Sequence, residues 1–180
     1  MGIPKEPKPV KLFVALLSRH EELFASVEQA MRALFGATDS TSGSLPWAVP
    51  DYYKNEMGSR LLRRFVSFAP LISPESLAEI KLKTQELEKG YQWREDEKKG
   101  RQVNIDPGYL DGGKIVLAST KGASHRIYLS AGIYGEVTLL YQGASFQPLT
   151  NTYPDYLWPE TLSFFTGLRS LYLNQLKEAR

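Results

Sequence analysis

The chain has 180 residues, 22 of them basic and 20 acidic, for a formal charge of +2. That length can bury one core without a stabilising staple, and the near balance of charge argues against a protein that holds nucleic acid chiefly by its phosphates. With no cysteine, disulfides, cysteine zinc sites and cysteine nucleophiles are excluded.

The opening MGIPKEPKPV lacks an apolar stretch long enough for a signal peptide, and no later run approaches the ~18 apolar residues of a membrane span. A cytoplasmic, single-domain protein over residues 1–180, with no membrane partner, is expected. Leu12 to Leu17 (LFVALL) is apolar without alternation, as in a strand covered on both faces. Ser18 and Glu21 have the spacing of a capping box ahead of a helix with Phe24, Val27, Met31 and Leu34 on one face, ended by Gly36. Residues 37–50 are rich in Ser, Thr, Gly and Pro and read as loop.

DYYKNEMG and LLRRFVSF flank Gly58-Ser59 and are expected to form a hairpin. Ser73-Pro74-Glu75 then opens a second helix through Leu77, Ile80, Thr84 and Leu87. The stretch from Trp93 to Arg101 is too charged to bury a face and reads as an exposed loop. A strand resumes at Gln102 to Ile105. Beyond it, Asp111 can cap a short helix from Lys114 to Thr120, although the β-branched KIVLAST makes a strand a serious competitor. HRIYL, a turn at SAG, and IYGEVTLLY form a hairpin that sets Arg126 across from Glu136 and turns His125 to the opposite face. Pro159 and Glu160 open a last helix with Leu162, Phe165, Leu168 and Tyr172 on one side. The expected class is α+β: a mixed or mainly antiparallel sheet in ferredoxin-like βαββαβ order, followed by a helix, a β-hairpin and a C-terminal helix.

The words that carry chemistry are polar. Asn104, Asp106 and Tyr109 stand in NIDPGY, read as a strand end before an Asp-Pro-Gly turn, where a carboxylate could act as general base or orient a cation. Lys121, His125 and Arg126 form a basic cluster whose Gly122 and Ala123 let a loop approach an anion, a phosphate above all; the structural reading simply pairs Arg126 with Glu136. Asp51-Tyr52-Tyr53 and Tyr153-Pro154-Asp155-Tyr156 each join a carboxylate to tyrosine hydroxyls. There is no GxxxxGK[ST], GxGxxG, HExxH or GxSxG, and two histidines, His20 and His125, cannot build a multi-histidine metal site. A divalent cation would therefore take oxygen ligands.

Taken together these words point to a pocket for a small phosphorylated or nucleotide-like ligand, with His125 as acid or base and Asp106 binding a divalent ion or orienting His125. The alternative is a noncatalytic interaction or regulatory module using exposed tyrosines and a sheet edge. RNA binding ranks third, for want of the RRM aromatic pattern and of basic charge.

The segments DYYKNEMG, NIDPGYL, KIVLASTK, SHRIYL, GIYGEVTL and TYPDY, in that order, resemble an uncharacterised prokaryotic family known as a domain of unknown function. The likeness runs from PKPVKL to the last helix. The family pattern has a threonine and a leucine where this chain has Asp111 and Gly112. The resemblance implies no activity; its motifs coincide with the polar words above.

Overall fold

The computed structural model describes residues 2–47, 56–92 and 100–178. Strand β1 (Val10–Ser18) is buried along its whole length, as its unbroken apolar run predicts. Its side chains alternate between two cores. Leu12, Val14 and Leu16 pack against Phe24, Val27 and Met31 of α1 (Glu21–Phe35) and Ile80 of α2 (Leu77–Lys89). Phe13 and Ala15 face the other way, toward Phe165, Leu168 and Tyr172 of α3 (Pro159–Glu178). The chain is thus α+β, with α1 and α2 on one face of the sheet and α3 on the other.

The remaining strands are β2 (Thr38–Thr41), β3 (Leu45–Trp47), β4 (Leu61–Ile72), β5 (Val103–Leu110), β6 (Lys114–Ser119), β7 (Ile127–Ser130), β8 (Ile133–Gln142) and β9 (Ser145–Pro148). They run in the order β2-β4-β1-β5-β6-β8-β7, with β3 also on β4 and β9 also on β8. Every pairing among these named strands is antiparallel.

Several local expectations are corrected. Residues 38–41 and 45–47, read as loop, are strands, because an exposed edge tolerates the Ser and Thr that a central strand would not. Among the described residues no strand precedes Gly58-Ser59 to make the expected hairpin: Glu56 and Met57 are helical, and β4 pairs with β1, β2 and β3. Asp51 to Asn55 lie outside the described residues. No capping box opens α1. Ser18 Oγ instead accepts the His20 N–H at 3.0 Å and donates to the Gln102 carbonyl at 2.7 Å, tying β1 to the approach of β5. Lys114 to Ser119 is strand, not helix, in keeping with its β-branched residues. The hairpin turns at Ala131 and Gly132, both at positive φ (49° and 79°), the geometry of a tight primed turn.

The largest correction concerns NIDPGY. Asp106-Pro107-Gly108 is no turn; it lies inside β5, paired throughout with β1. Gly108 is there because the sheet is tight at that point. A Cβ on it would sit 2.6 Å from both the Phe13 ring and the Val116 carbonyl.

A charged cavity where the sheet parts

Strands β5 and β6 pair only over Gly108–Leu110 and Ile115–Leu117, although β5 begins five residues earlier at Val103. Backbone groups of successive strand residues point alternately to either neighbour. Those of Ile105 point away from β1, so the missing N–H of Pro107 falls on the side where β6 would pair. The ladder stops there and the sheet opens.

Side chains of α2 take the place of the absent strand. Glu88 Oε1 accepts the Ile105 N–H at 2.6 Å, and Lys81 Nζ donates to the Ile105 carbonyl at 3.1 Å. Both lie seven residues apart on one face of the helix, two turns along. A cavity of about 210 Å³ occupies the gap. Lys81, Gln85 and Glu88 line it from the α2 side, and Arg63, Asp155 and Tyr156 from the α3 side, so it passes through the plane of the sheet.

Its β5 wall is an ionic chain. Lys81 Nζ lies 2.9 Å from Asp106 Oδ1, Asn104 donates to Asp106 Oδ2, and Arg101 donates to Asn104 Oδ1 at 2.7 Å, to Glu88 at 3.1 Å and to Glu56 at 2.6 Å. Burial opposes ionisation of Asp106, but Lys81, Arg63 and the Asn104 amide outweigh it and hold the carboxyl below its ordinary range. Glu88 goes the other way: burial pushes its carboxyl up despite Lys81, the Ile105 N–H and Arg101.

The β6–β8 wall is built on Arg126. Its Nε donates to Glu136 at 3.1 Å, Nη1 to Ser119 Oγ and the Lys121 carbonyl at 2.8 Å each, and Nη2 to Glu136 at 3.3 Å and Tyr153 OH at 2.7 Å. Every guanidinium N–H is thereby engaged within the protein. His125 Nε2 lies 2.8 Å from the same Glu136. It does not face the opposite side, because residues 123–126 form a turn, closed by the Arg126 N–H on the Ala123 carbonyl, and strand alternation starts only at Ile127. Burial and Glu136 push the Tyr153 hydroxyl up to about 12.

The floor holds a buried ion pair, Arg63 Nε to Asp155 Oδ2 at 2.8 Å, beside Tyr156. The Tyr156 ring is fixed by stacking on Phe165 (centroids 5.7 Å apart, planes at 14°) and by an edge contact with Phe65 at 5.4 Å. Burial raises its hydroxyl well above the ordinary tyrosine range, and that hydroxyl has no hydrogen-bond partner among the described residues.

Of the residues singled out from the sequence, Asn104, Asp106, Lys121, Arg126, Glu136, Tyr153, Asp155 and Tyr156 line this one cavity. His125 reaches it only through Glu136. Tyr109 points the other way, into a second hollow with Lys114 and Tyr172. Asp51, Tyr52 and Tyr53 lie outside the described residues. Sequence reading missed Arg63, Lys81, Glu88 and Arg101. For the first three the available signal was a charge inside an apolar pattern, as in Arg63 two residues from Leu61 and Phe65. Arg101, read as part of an exposed loop, is an anchor of the β5 wall. Among the described residues no group of three or more carboxylates or imidazoles is placed to hold a metal ion, and no helix is long and apolar enough to cross a membrane.

An α+β sheet opened around an internally paired, charged cavity is the class that fold and site define. The family described as Domain of unknown function (DUF4416) matches residues 8–172, and the chain belongs to it. No curated protein and no solved structure matches the chain.

Proposed function

We propose that the chain binds a small phosphorylated metabolite in the cavity between β5 and β6. The observation that carries this reading is the charge gathered around one space: among the described residues, Arg63, Lys81, Arg101, Lys121 and Arg126 line it against Glu88, Asp106, Glu136 and Asp155, an excess of one cation. Donor counting divides the labour. Arg126 is fully engaged and positions the wall, whereas among the described residues Lys81 has two partners for three N–H donors; the Lys121 side chain is exposed. An anion entering the cavity meets these ammonium groups first.

Size favours a small ligand over a whole nucleotide. About 210 Å³ lies under the roughly 300–1,000 Å³ usual for drug-sized ligands. In this reading Asp106 serves as the charge partner of Lys81. His125 stands behind Glu136, so its part in this reading is to position that carboxylate in the wall.

A thermal-shift series with inorganic phosphate, sugar phosphates and nucleotides tests the reading, since a ligand bound only by the native state raises the melting temperature. Small phosphates should stabilise the wild type, and less so Lys121→Ala. If no anion shifts the wild-type transition, the proposal fails.

One observation favours the alternative, a noncatalytic interaction module. Strand β7 ends the sheet with Ile127 74% and Tyr128 58% exposed, an apolar edge of the kind that takes up a partner strand. A partner bound there would be lost with Ile127→Asp and kept with Lys121→Ala.

A further inference from the structure

The second hollow lies at the far end of β5, where that strand turns into β6, and shares no lining residue with the charged cavity. Its volume, about 460 Å³, falls inside the roughly 300–1,000 Å³ usual for drug-sized ligands. Its frame is fixed by hydrogen bonds. Asp111 Oδ1 accepts the N–H groups of Gly113 and Lys114 at 2.7 and 2.9 Å and closes the β5–β6 turn, and Arg169 of α3 donates to the Gly112 carbonyl at 2.8 Å. The Tyr172 hydroxyl donates to the Pro9 carbonyl at 2.9 Å and ties the segment before β1 to α3.

The lining is of two kinds. Val10, Pro74, Leu173 and Leu176 give apolar surface, and Lys8, Tyr109, Asp111 and Lys114 give polar groups. Among the described residues that line the hollow, two cations thus stand against one carboxylate. That carboxylate is already used, Oδ1 by the turn and Oδ2 by Lys114. Lys114 has one partner among the described residues for three N–H donors, and the Tyr109 hydroxyl has none. Unlike the hydroxyl of Tyr156, that of Tyr109 keeps accessible surface. Burial, with Asp111 adding to it against Lys114, holds the phenol above its ordinary range, so it stands in the hollow as a neutral donor. The unused groups are therefore donors beside an apolar wall. A carboxylate on an apolar body answers both, with two oxygens for the phenol and the ammonium and one negative charge for the excess cation.

We propose that this hollow is a second ligand site, taking a monocarboxylate with a hydrocarbon or aromatic body, its carboxylate on Tyr109 and Lys114 and its body against Leu173 and Leu176. The site stands independently of the phosphate reading.

Calorimetric titration with hexanoate and phenylacetate tests this, with acetate and hexan-1-ol as controls that lack the body and the charge. The wild type should bind at least one of the two acids about tenfold or more tightly than either control, because buried methylenes and a charge-assisted bond act together. Tyr109→Phe should weaken that acid about fivefold without lowering the melting temperature, since the hydroxyl has no bond in the free protein. Leu176→Asp, near the end of α3, should abolish binding by setting a like charge against the carboxylate. If neither acid binds, or neither binds better than both controls, the inference is overturned and the phosphate reading is untouched. An acid whose affinity falls with Lys121→Ala and not with Tyr109→Phe sits in the charged cavity, which overturns it equally.

Discussion

Glu88 of α2 accepts the backbone N–H of Ile105 at 2.6 Å, a bond that in an unbroken sheet would belong to a neighbouring strand. With Lys81 on the Ile105 carbonyl, the helix completes the edge of β5 and holds the sheet open. The cavity therefore depends on a polar substitute for a strand, and each part of that substitute can be tested.

Glu88→Ala leaves the Ile105 N–H unbonded and Arg101 with one carboxylate fewer. The expected loss is about 2–3 kcal/mol in urea unfolding at pH 7. Glu88→Gln keeps an acceptor for Ile105 and should lose less. It also carries a pH signature. Burial raises the folded-state proton affinity of Glu88 above its ordinary 4.5, so its favourable contribution is complete below that value and is lost as pH rises through the folded pKa. The balance between wild type and Gln should shift toward Gln as pH climbs from 4 to 7. A difference that stays flat over this range would show that Glu88 is not held against its own ionisation.

Asp106 titrates in the opposite sense. Its carboxyl is held below the ordinary 3.8, so its contribution is present above that value and is lost as pH falls through the folded pKa. Asp106→Asn should cost about 1 kcal/mol near neutrality, a modest figure because the side chain is a third exposed. The deficit should close in acid below pH 3.8. Parallel urea series at pH 7 and pH 3 measure it.

These two residues also show which parts of the molecule were legible in its sequence. Asp106 sits in a polar word that marks it; Glu88 sits beside Leu87 at the end of a helix, where nothing in the local pattern sets it apart from a surface charge. The strongly patterned elements, β1, α1 and α3, follow from burial on both faces or at helical period. Strands β2 and β3 do not, since four residues such as TDST at an edge carry no apolar alternation. The Asp-Pro-Gly word misled because turns and open sheet edges need the same residues: one for the missing N–H, one for close approach. That eight scattered polar residues share one cavity depends on long-range pairing, which no local pattern records.

Arg126 and Glu136 are 8% and 4% exposed at their side chains and bonded through Nε and Nη2. Removing one partner strands a buried charge, so Arg126→Leu should cost about 3 kcal/mol or more. Replacing both by leucine should recover much of that, because the pair must repay its own desolvation. A double-mutant cycle in urea reads the coupling directly. Additive losses would mean that the two charges do not depend on each other.

Gly108 sets where the sheet closes again. An alanine there would bring its Cβ to 2.6 Å from the Val116 carbonyl, a backbone atom that cannot rotate away, and to 2.8 Å from a Leu117 methyl. Relief requires β6 to move off β5 at the first rung of their short ladder. The expected cost is about 1–3 kcal/mol, the usual range for overpacking, and it should fall unevenly. Amide exchange at Tyr109 and Val116, which face each other in that ladder, should accelerate more than exchange at Val14 of β1, which pairs with Val66 of β4 on the far side. Uniform acceleration across all three strands would instead indicate a general loss of packing, with no special role for Gly108 in bounding the cavity.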